Sequence, residues 1–390
     1  MRVAIAQGGG PTAVINASLY GAVAELTGAR RRSMEIWGAQ GGILGVVKQR
    51  WLDLRKPGRR AWAAISRAPG AALGSCRKML NREEAEAAVR ILQAQDVRYF
   101  FYIGGNDSMD TALKMADAAA ALHYELHVAG IPKTIDNDLP HTDHCPGFGS
   151  AARYFAQSAI DLGADIRTLP TPVSILEVLG RNTGWLTAAT LAARKDPDDA
   201  PQLIYVPEAP LSPRRFLADI QAVYQRQGWV VAAVSEGVKD ESGRSWSAPR
   251  AGAAVDGFGH ALPGDVAATL AGMVTAELGL RARSEKPGVC GRACALMVSK
   301  VDRAEAEAIA RFAVAWALKG NTAFMGAIER RASRPYKVVY RPVPLDLVAN
   351  VERPLPLEYL PPEQNDIRDS YRSYVEPLLG GALLRYPRLQ

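Results

Sequence analysis

The sequence predicts an α/β protein of two doubly wound, Rossmann-like domains with parallel-rich sheets. Three observations predict it. Short runs rich in Val, Ile and Leu alternate with segments of helical spacing along most of the chain. Those runs are apolar on both faces, as parallel strands covered by helices are. Glycines or acidic residues follow several of the runs, where open α/β sheets bind ligands.

Taken in order, Arg2–Ala6, Met34–Trp37, Tyr99–Ile103, Val128–Ile131, Val173–Leu179, Leu203–Val206 and Trp229–Ser235 read as strands. Between them, Asn16–Leu26, Arg82–Ala94, Met109–Leu122, Ser150–Leu162, Thr183–Arg194 and Pro213–Arg226 carry helical spacing. Asp240–Pro263 is rich in Gly, Ser, Pro and Ala and reads as a loop or lid. Ala304–Leu318 reads as a helix. From Val343 the chain is proline-rich and is expected to wrap the surface. No repeat of solenoid period is present.

The chain has 390 residues, 48% of them hydrophobic, enough for two domains of about 150 residues each. No apolar run reaches the roughly 18 residues of a membrane span, so no membrane partner is expected. Met1–Ala6 enters a strand directly, without signal-peptide design. Cys76, Cys145, Cys290 and Cys294 form no CxxC pair and read as reduced thiols of a cytoplasmic protein. The net charge of +7, from 47 basic and 40 acidic residues, is scattered. Arg30-Arg31-Arg32 and Arg59-Arg60 are short solvated runs, so no nucleic-acid partner is expected. A mild positive bias helps attract phosphorylated substrates.

The chemistry concentrates between Ile103 and Asp138. Gly104-Gly105-Asn106-Asp107-Ser108 follows a strand and opens a helix. A glycine turn there lets backbone N–H groups approach a phosphate, and an acidic residue beside it suits a Mg²⁺ that bridges phosphates. Asp107 or Ser108 capping the helix is compatible with that use. Pro132-Lys133-Thr134-Ile135-Asp136-Asn137-Asp138 follows the next strand. Two carboxylates at i and i+2 can face one pocket: one takes a proton while metal or hydrogen bonds hold the other. Lys133 can neutralise a second anion. Gly8-Gly9-Gly10-Pro11 fits a phosphate-cradling turn and, equally, a tight βα turn with no ligand. Arg181 in Glu177-Val178-Leu179-Gly180-Arg181 can stabilise a moving phosphoryl group. Glu236, after a further strand, can accept sugar hydroxyl bonds, and Arg283 and Arg292, flanking Pro287-Gly288, can clamp a phosphate. His123, His127, His141, His144 and His260 lack zinc-ligand spacing.

At these residues the chain resembles the phosphofructokinase family, most closely its pyrophosphate-dependent branch. The resemblance covers most of the chain. It runs through the opening glycine turn, Leu73-Gly74-Ser75-Cys76-Arg77, the glycine–aspartate turn, Thr134-Ile135-Asp136-Asn137-Asp138 and Leu179-Gly180-Arg181. It continues through Ser235-Glu236-Gly237, Phe258-Gly259-His260 and Arg283 to Arg292. It implies the phosphofructokinase fold. Residues 1–147 with about 291–345 would form a phosphoryl-donor domain, 148–290 a sugar-phosphate domain, and 346–390 a surface tail.

The resemblance also implies roles. Asp136 would take the proton of a sugar 1-hydroxyl, supported by Thr134 and Asp138, with Lys133, Asp107 and Arg181 sharing the catalysis. Thr134, Ile135, Asp136, Asp138, Leu179, Gly180, Arg181, Glu236, Arg283 and Arg292 would hold fructose 6-phosphate. Gly9, Gly10, Arg77, Gly105, Asp107, Ser108 and Lys133 would hold the donor, and Asn106 and Asp107 the Mg²⁺. ATP-using members usually carry glycine where Asp107 and Lys133 stand; pyrophosphate-using members usually carry Asp and Lys. Asp107 would fill the space of the nucleotide α-phosphate, and Lys133 would stabilise the departing phosphate. Ile43 stands where ATP users often place an aromatic residue for adenine.

The expected activity is a near-reversible phosphoryl transfer from pyrophosphate to fructose 6-phosphate, a step of glycolysis and gluconeogenesis, by a homodimer or homotetramer. Four sites depart from the family pattern. Asn106 replaces an aspartate, Thr12-Ala13-Val14 replaces Ala-Pro-Gly, Val289 replaces Tyr or His, and Pro172 replaces an arginine that reaches a neighbouring subunit. The last two keep open a different acceptor, such as sedoheptulose 7-phosphate. ATP in place of pyrophosphate, and a non-catalytic subunit that binds sugar phosphate, also stay open.

Overall fold

The structure, a computed structural model, describes residues 1–28, 34–168, 170–246 and 264–387. Its strands are β1 (Arg2–Gln7), β2 (Glu35–Ala39), β3 (Trp51–Asp53), β4 (Val97–Gly104), β5 (His127–Pro132), β6 (Val173–Val178), β7 (Leu203–Tyr205), β8 (Val230–Ser235), β9 (Ala282–Glu285), β10 (Phe324–Ser333) and β11 (Tyr336–Pro344). They form a seven-stranded sheet of order β11-β10-β5-β4-β1-β2-β3 and a four-stranded sheet of order β7-β8-β6-β9. Within the larger sheet β10, β5, β4, β1 and β2 pair in parallel, and only the edge strands β11 and β3 run antiparallel. The smaller sheet is parallel throughout. Both sheets alternate with helices, so the chain has the expected α/β architecture.

The chain forms two compact units. Among the described residues the first holds 1–147 and 300–353, with the larger sheet; the second holds 148–246, 264–299 and 354–387, with the smaller. In the first unit the period-2 alternation of β1 sorts its side chains onto two cores. Val3 and Ile5 pack with Ile15, Leu19 and Val23 of the helix Ile15–Leu26, and with Ile309, Ala313 and Val314 of the helix Lys300–Ala317. Ala4 and Ala6 face Ala88 and Leu92 of Arg82–Ala94 and Met109, Ala112 and Met115 of Asn106–Ala121. The helix Arg82–Ala94 starts where the sequence predicts, because Asn81 and Glu84 form a capping box. In the second unit Val173, Ile175, Val230, Ala232 and Val234 pack against Phe216, Ile220 and Val223 on one side of the smaller sheet's core.

Several elements differ from expectation. The helix expected over Thr183–Arg194 is a short α-helix, Trp185–Ala188, followed by a 3₁₀ turn, Ala189–Ala193. The segment is buried on all sides, so its apolar spacing does not mark an amphipathic face. The Thr190 hydroxyl also donates to the Thr187 carbonyl at 2.7 Å. Val343 and Pro344, expected to open the tail, close β11, an edge strand whose alternating half-buried and exposed residues give a weak signal. Beyond Pro354 the chain is anchored through Leu355, Leu360, Ile367, Tyr371, Val375, Leu378 and Leu379, which are buried, while most residues between them are not. Residues 346–353 belong to the first unit, and the return to that unit falls at Lys300. The helix Val289–Ala293 stays with the second unit because Gly291 lies flat on the Phe155 ring, where a Cβ would meet Cζ at 2.4 Å. Residues 247–263, with Phe258-Gly259-His260 and most of the expected lid, lie outside the described residues, as do Arg30-Arg31-Arg32.

Candidate active site

In the first unit the carboxyl ends of β1, β4 and β5 converge on one set of turns. The Gly8 N–H donates to the Ile103 carbonyl at 2.8 Å, and the Lys133 N–H donates to that of Gly104 at 2.9 Å. The Gly9 N–H donates to the Cys76 carbonyl at 3.1 Å, and the Ser75 hydroxyl donates to the Gly9 carbonyl at 2.6 Å. These bonds set the turn Gly8-Gly9-Gly10, the loop that carries Arg77, and the turn Gly104-Gly105 beside one another. The glycines are needed. A Cβ on Gly104 would lie 2.0 Å from Ser108 Oγ, and one on Gly8 would lie 2.5 Å from it.

Gly105 is the N-cap of the helix Asn106–Ala121, and Asp107 lies in its first turn. A sixteen-residue helix points its first turn and the positive end of its dipole at this turn. Lys133 is only 3% exposed, and its Nζ donates to the Gly10 carbonyl at 2.9 Å. Gly9, Gly10, Gly105, Asp107, Ser108 and Lys133 lie on the turns these bonds join, and Arg77 follows Cys76 in the loop bonded to Gly9. Asn106 is engaged otherwise as well: its Oδ1 accepts the Asn350 N–H at 2.8 Å, and its Nδ2 donates to the Val351 carbonyl at 2.6 Å.

The loop after β5 is held from several directions. The Thr134 N–H donates to the Pro146 carbonyl at 3.2 Å, and the Asp136 N–H to Thr134 Oγ1 at 3.1 Å. Asn137 takes a left-handed backbone, φ 59°, and its buried Oδ1 accepts the Cys145 N–H at 2.9 Å. Asp138 Oδ1 is buried with no hydrogen-bond partner. Burial first, and the neighbouring Asp136 charge second, push the Asp138 carboxyl up to about 7. Ile135, between Thr134 and Asp136, is buried.

Residues 142–147, which flank this loop, rest on a buried ionic network. His144 Nδ1 lies 2.7 Å from Asp143 Oδ1, and Nε2 lies 2.6 Å from Glu305 Oε2. Arg330 bonds Asp143, and the Tyr336 hydroxyl donates to Glu305. Burial alone would lower the His144 pKa, but Glu305 and Asp143 outweigh it and push it up to about 9. His144 is thus an imidazolium between two carboxylates. Among the described residues no group of three or more His, Cys, Asp and Glu side chains could hold a metal ion by itself.

In the second unit, two of the expected sugar-binding turns meet. Gly180, at φ 138°, ends the turn after β6, and its N–H donates to Glu236 Oε1 at 3.2 Å. The Ser235 hydroxyl donates to the Gly180 carbonyl at 2.6 Å. A Cβ on Gly237 would fall 1.8 Å from the Arg181 carbonyl oxygen, so Ser235-Glu236-Gly237 packs directly on Leu179-Gly180-Arg181. Burial raises the Glu236 carboxyl pKa, against the opposing bond from Gly180.

The structure does not bring Arg283 to that turn. Arg283 pairs in register with Ser174 of the parallel strand β6, five residues before Leu179, or roughly 16 Å along the strand. Its Nη2 bonds Asp165 Oδ2 at 3.0 Å. Arg292 lies on the short helix Val289–Ala293, where Val289 is 64% exposed. Residues the sequence did not point to include Asn350, Val351, Arg353 and His144. Asn350, Val351 and Arg353 bond residues far along the chain, and His144 takes its second carboxylate, Glu305, from 161 residues away, so neither periodicity nor a local motif marks them.

A model of the family described as Phosphofructokinase matches residues 2–317. The pyrophosphate–fructose 6-phosphate 1-phosphotransferase of Xanthomonas campestris pv. campestris is 43% identical over 384 residues, covering 96% of this chain and 91% of that protein. The protein of the same name from Halomonas elongata is 36% identical, with the same coverage. The crystal structure of a pyrophosphate-dependent phosphofructokinase from Marinobacter aquaeolei superposes with a TM-score of 0.88 at 34% identity, covering 100% of this chain and 93% of that one.

Proposed function

The chain belongs to the phosphofructokinase family, and on that premise we propose that it transfers a phosphoryl group from pyrophosphate to the 1-hydroxyl of fructose 6-phosphate. The products are fructose 1,6-bisphosphate and phosphate. Two observations carry the donor: Asp107 stands in the first turn of the helix after the glycine turn, and the Lys133 ammonium reaches the Gly10 carbonyl. Lys133 supplies positive charge where a diphosphate ends, and Asp107 repels a longer nucleotide chain. Gly9, Gly10, Gly105, Ser108 and Arg77 complete the donor cradle through backbone N–H groups, a hydroxyl and a guanidinium.

The hydroxyl oxygen attacks the terminal phosphorus, the bridging P–O bond breaks, and the hydroxyl proton passes to Asp136. Asp138 makes that transfer easier, since two adjacent carboxylates repel and together hold a proton more readily than one alone. Thr134 orients Asp136 through its backbone N–H. Leu179, Gly180, Arg181 and Glu236 hold the sugar phosphate. The phosphoanhydride bond of pyrophosphate breaks and a phosphate ester to the sugar 1-oxygen forms, and because the two differ little in driving force the step runs in both directions.

The family implies a divalent metal, and we take it to be Mg²⁺. The Asp107 carboxylate, a hard oxygen ligand beside the phosphate turn, fits that ion, which keeps water and binds through one or two carboxylates plus substrate phosphates. Bound there, it supplies neutralisation of charge on the phosphoryl oxygens. Arg283 and Arg292 are part of the same reading. Arg283 lies at the far end of the smaller sheet from Leu179, so its service to a sugar phosphate needs a second copy of the chain, in a homodimer or homotetramer. The substrates put the enzyme in the cytoplasm; no described helix is long and apolar enough to cross a membrane.

A coupled assay with fructose 6-phosphate and Mg²⁺, comparing pyrophosphate with ATP, tests the proposal. Product with pyrophosphate alone supports it; product with ATP alone overturns the donor. A second acceptor is favoured by the exposed Val289 next to Arg292 and by Pro172, and the ratio of kcat/KM for sedoheptulose 7-phosphate and fructose 6-phosphate decides between them.

A further inference from the structure

We propose that Asn350–Arg353 is a positioning strap that holds the donor turn and the acceptor loop in fixed register, with Asn106 as one anchor and Arg353 as the other. The strap matters for turnover only if the chain is the phosphotransferase proposed above.

One end of the strap is tied to the start of the helix Asn106–Ala121. Asn106 uses both ends of its amide there, accepting from the Asn350 N–H at 2.8 Å and donating to the Val351 carbonyl at 2.6 Å. Asn350 sits in the left-handed region, φ 60°, which an asparagine tolerates better than most residues. Its own Nδ2 donates to Asp110 Oδ1 at 2.8 Å, one turn further along the same helix. Asp110 is 2% exposed and is also held by Lys114 Nζ at 2.6 Å. Asn350 is therefore fixed at both backbone and side chain.

Three residues later, within about 10 Å of extended chain at most, Arg353 is tied to the loop that carries Asp136 and Asp138. The Arg353 N–H donates to the Asp138 carbonyl at 2.7 Å. Its Nη2 donates to the Asn137 carbonyl at 2.9 Å, and its Nη1 to the carbonyls of Thr142 and Asp143 at 2.7 and 2.9 Å. One guanidinium thus joins both sides of the loop. Asn137, at φ 59°, is a backbone conformation that surrounding bonds must hold in place. Phosphoryl transfer requires the attacking oxygen and the phosphorus in line, and misplacement by about 1 Å costs about a hundredfold. A short strap between the two turns supplies that constraint.

The chemistry at position 106 follows. The site needs one acceptor and one donor, which an amide provides and a carboxylate does not. An aspartate there would set a carboxylate oxygen against the Val351 carbonyl. Asn106 is thus an anchor suited to this strap, and its oxygen already serves the Asn350 N–H.

Asn106→Asp and Arg353→Lys test the strap in the full-length enzyme. For Asn106→Asp the strap requires kcat with pyrophosphate to fall by about tenfold to a hundredfold, KM for fructose 6-phosphate to stay within about twofold, and the Mg²⁺ concentration for half-maximal rate not to fall. Amide hydrogen exchange, read without substrate or metal, should quicken at residues 134–139 and at Arg353 in both variants. Asn106→Asp with unchanged kcat and tighter Mg²⁺ binding would make residue 106 a metal ligand and overturn the strap. Unchanged exchange at 134–139 in Arg353→Lys would overturn it too. Absence of pyrophosphate turnover in the unaltered chain would instead sink the functional proposal, while the exchange data would still decide the strap.

Discussion

Lys133 Nζ donates to the Gly10 carbonyl across 2.9 Å, so the lysine that follows β5 reaches the turn that follows β1. This contact crosses β4, which lies between those strands, and it brings a buried cation to the glycine turns. Lys133→Met should cut kcat/KM for pyrophosphate by about a hundredfold or more, and Asp107→Gly should weaken it further. Neither should create efficient ATP use. Ile43, at the position where ATP users often carry an aromatic, is fully buried in the core and offers no face to a base. Steady-state kinetics with both donors measures this, and strong ATP turnover in the double variant would refute the donor assignment.

Asp136→Asn should leave fructose 6-phosphate binding nearly intact and lower kcat by about a hundredfold or more. The partner carboxyl predicts the pH dependence. Asp138 titrates up to about 7 because of burial and the adjacent Asp136 charge, so kcat/KM should rise with pH as the pair loses its proton near neutrality. Asp138→Asn removes a like charge beside Asp136, and the acid limb should move to lower pH. A limb that stays in place would show that the two carboxylates do not share the titration.

His144 predicts a stability profile of the opposite sign. Its folded pKa, about 9, lies above the ordinary histidine value of 6.5. Its contribution is therefore complete below about pH 6.5 and is lost as pH rises towards the folded value. Denaturant unfolding at pH 6 and at pH 9.5 should show a larger loss of stability on raising the pH for the unaltered chain than for His144→Gln. Equal losses would mean that the imidazolium is not held by Asp143 and Glu305.

Gly21 allows the helices Ile15–Leu26 and Lys300–Ala317 to touch at the backbone: a Cβ there would lie 2.2 Å from the Glu307 carbonyl oxygen. Gly21→Ala should destabilise the chain by about 1–3 kcal/mol through this forced separation. A rise in Tm would show instead that helix propensity outweighs the contact.

The layout of the site was legible in the sequence wherever it is local. β1, β4 and β5 announce themselves as apolar runs, and the glycines, Asp107, Lys133 and Asp136 follow them within a few residues. The capping box at Asn81 and Glu84 likewise marks its helix start. Residues 185–193 misled because they are buried all round, and a face cannot be read from spacing when there is no wet side. β10 and β11 were missed because charged residues interrupt an edge hairpin.

By itself the sequence determined the α/β class, the family, and the chemical groups at the strand ends, because strand burial, helix capping and glycine turns are short-range physics. Only the tertiary structure decided how those groups are held. It set Asn106 on Asn350 and Arg353 on Asn137, across 244 and 216 residues of chain, and it turned Arg283 to Asp165 at the far end of its sheet. A hydrogen bond between residues so far apart leaves no periodicity in either segment. It exists only once packing has fixed both backbones within about 3 Å of each other.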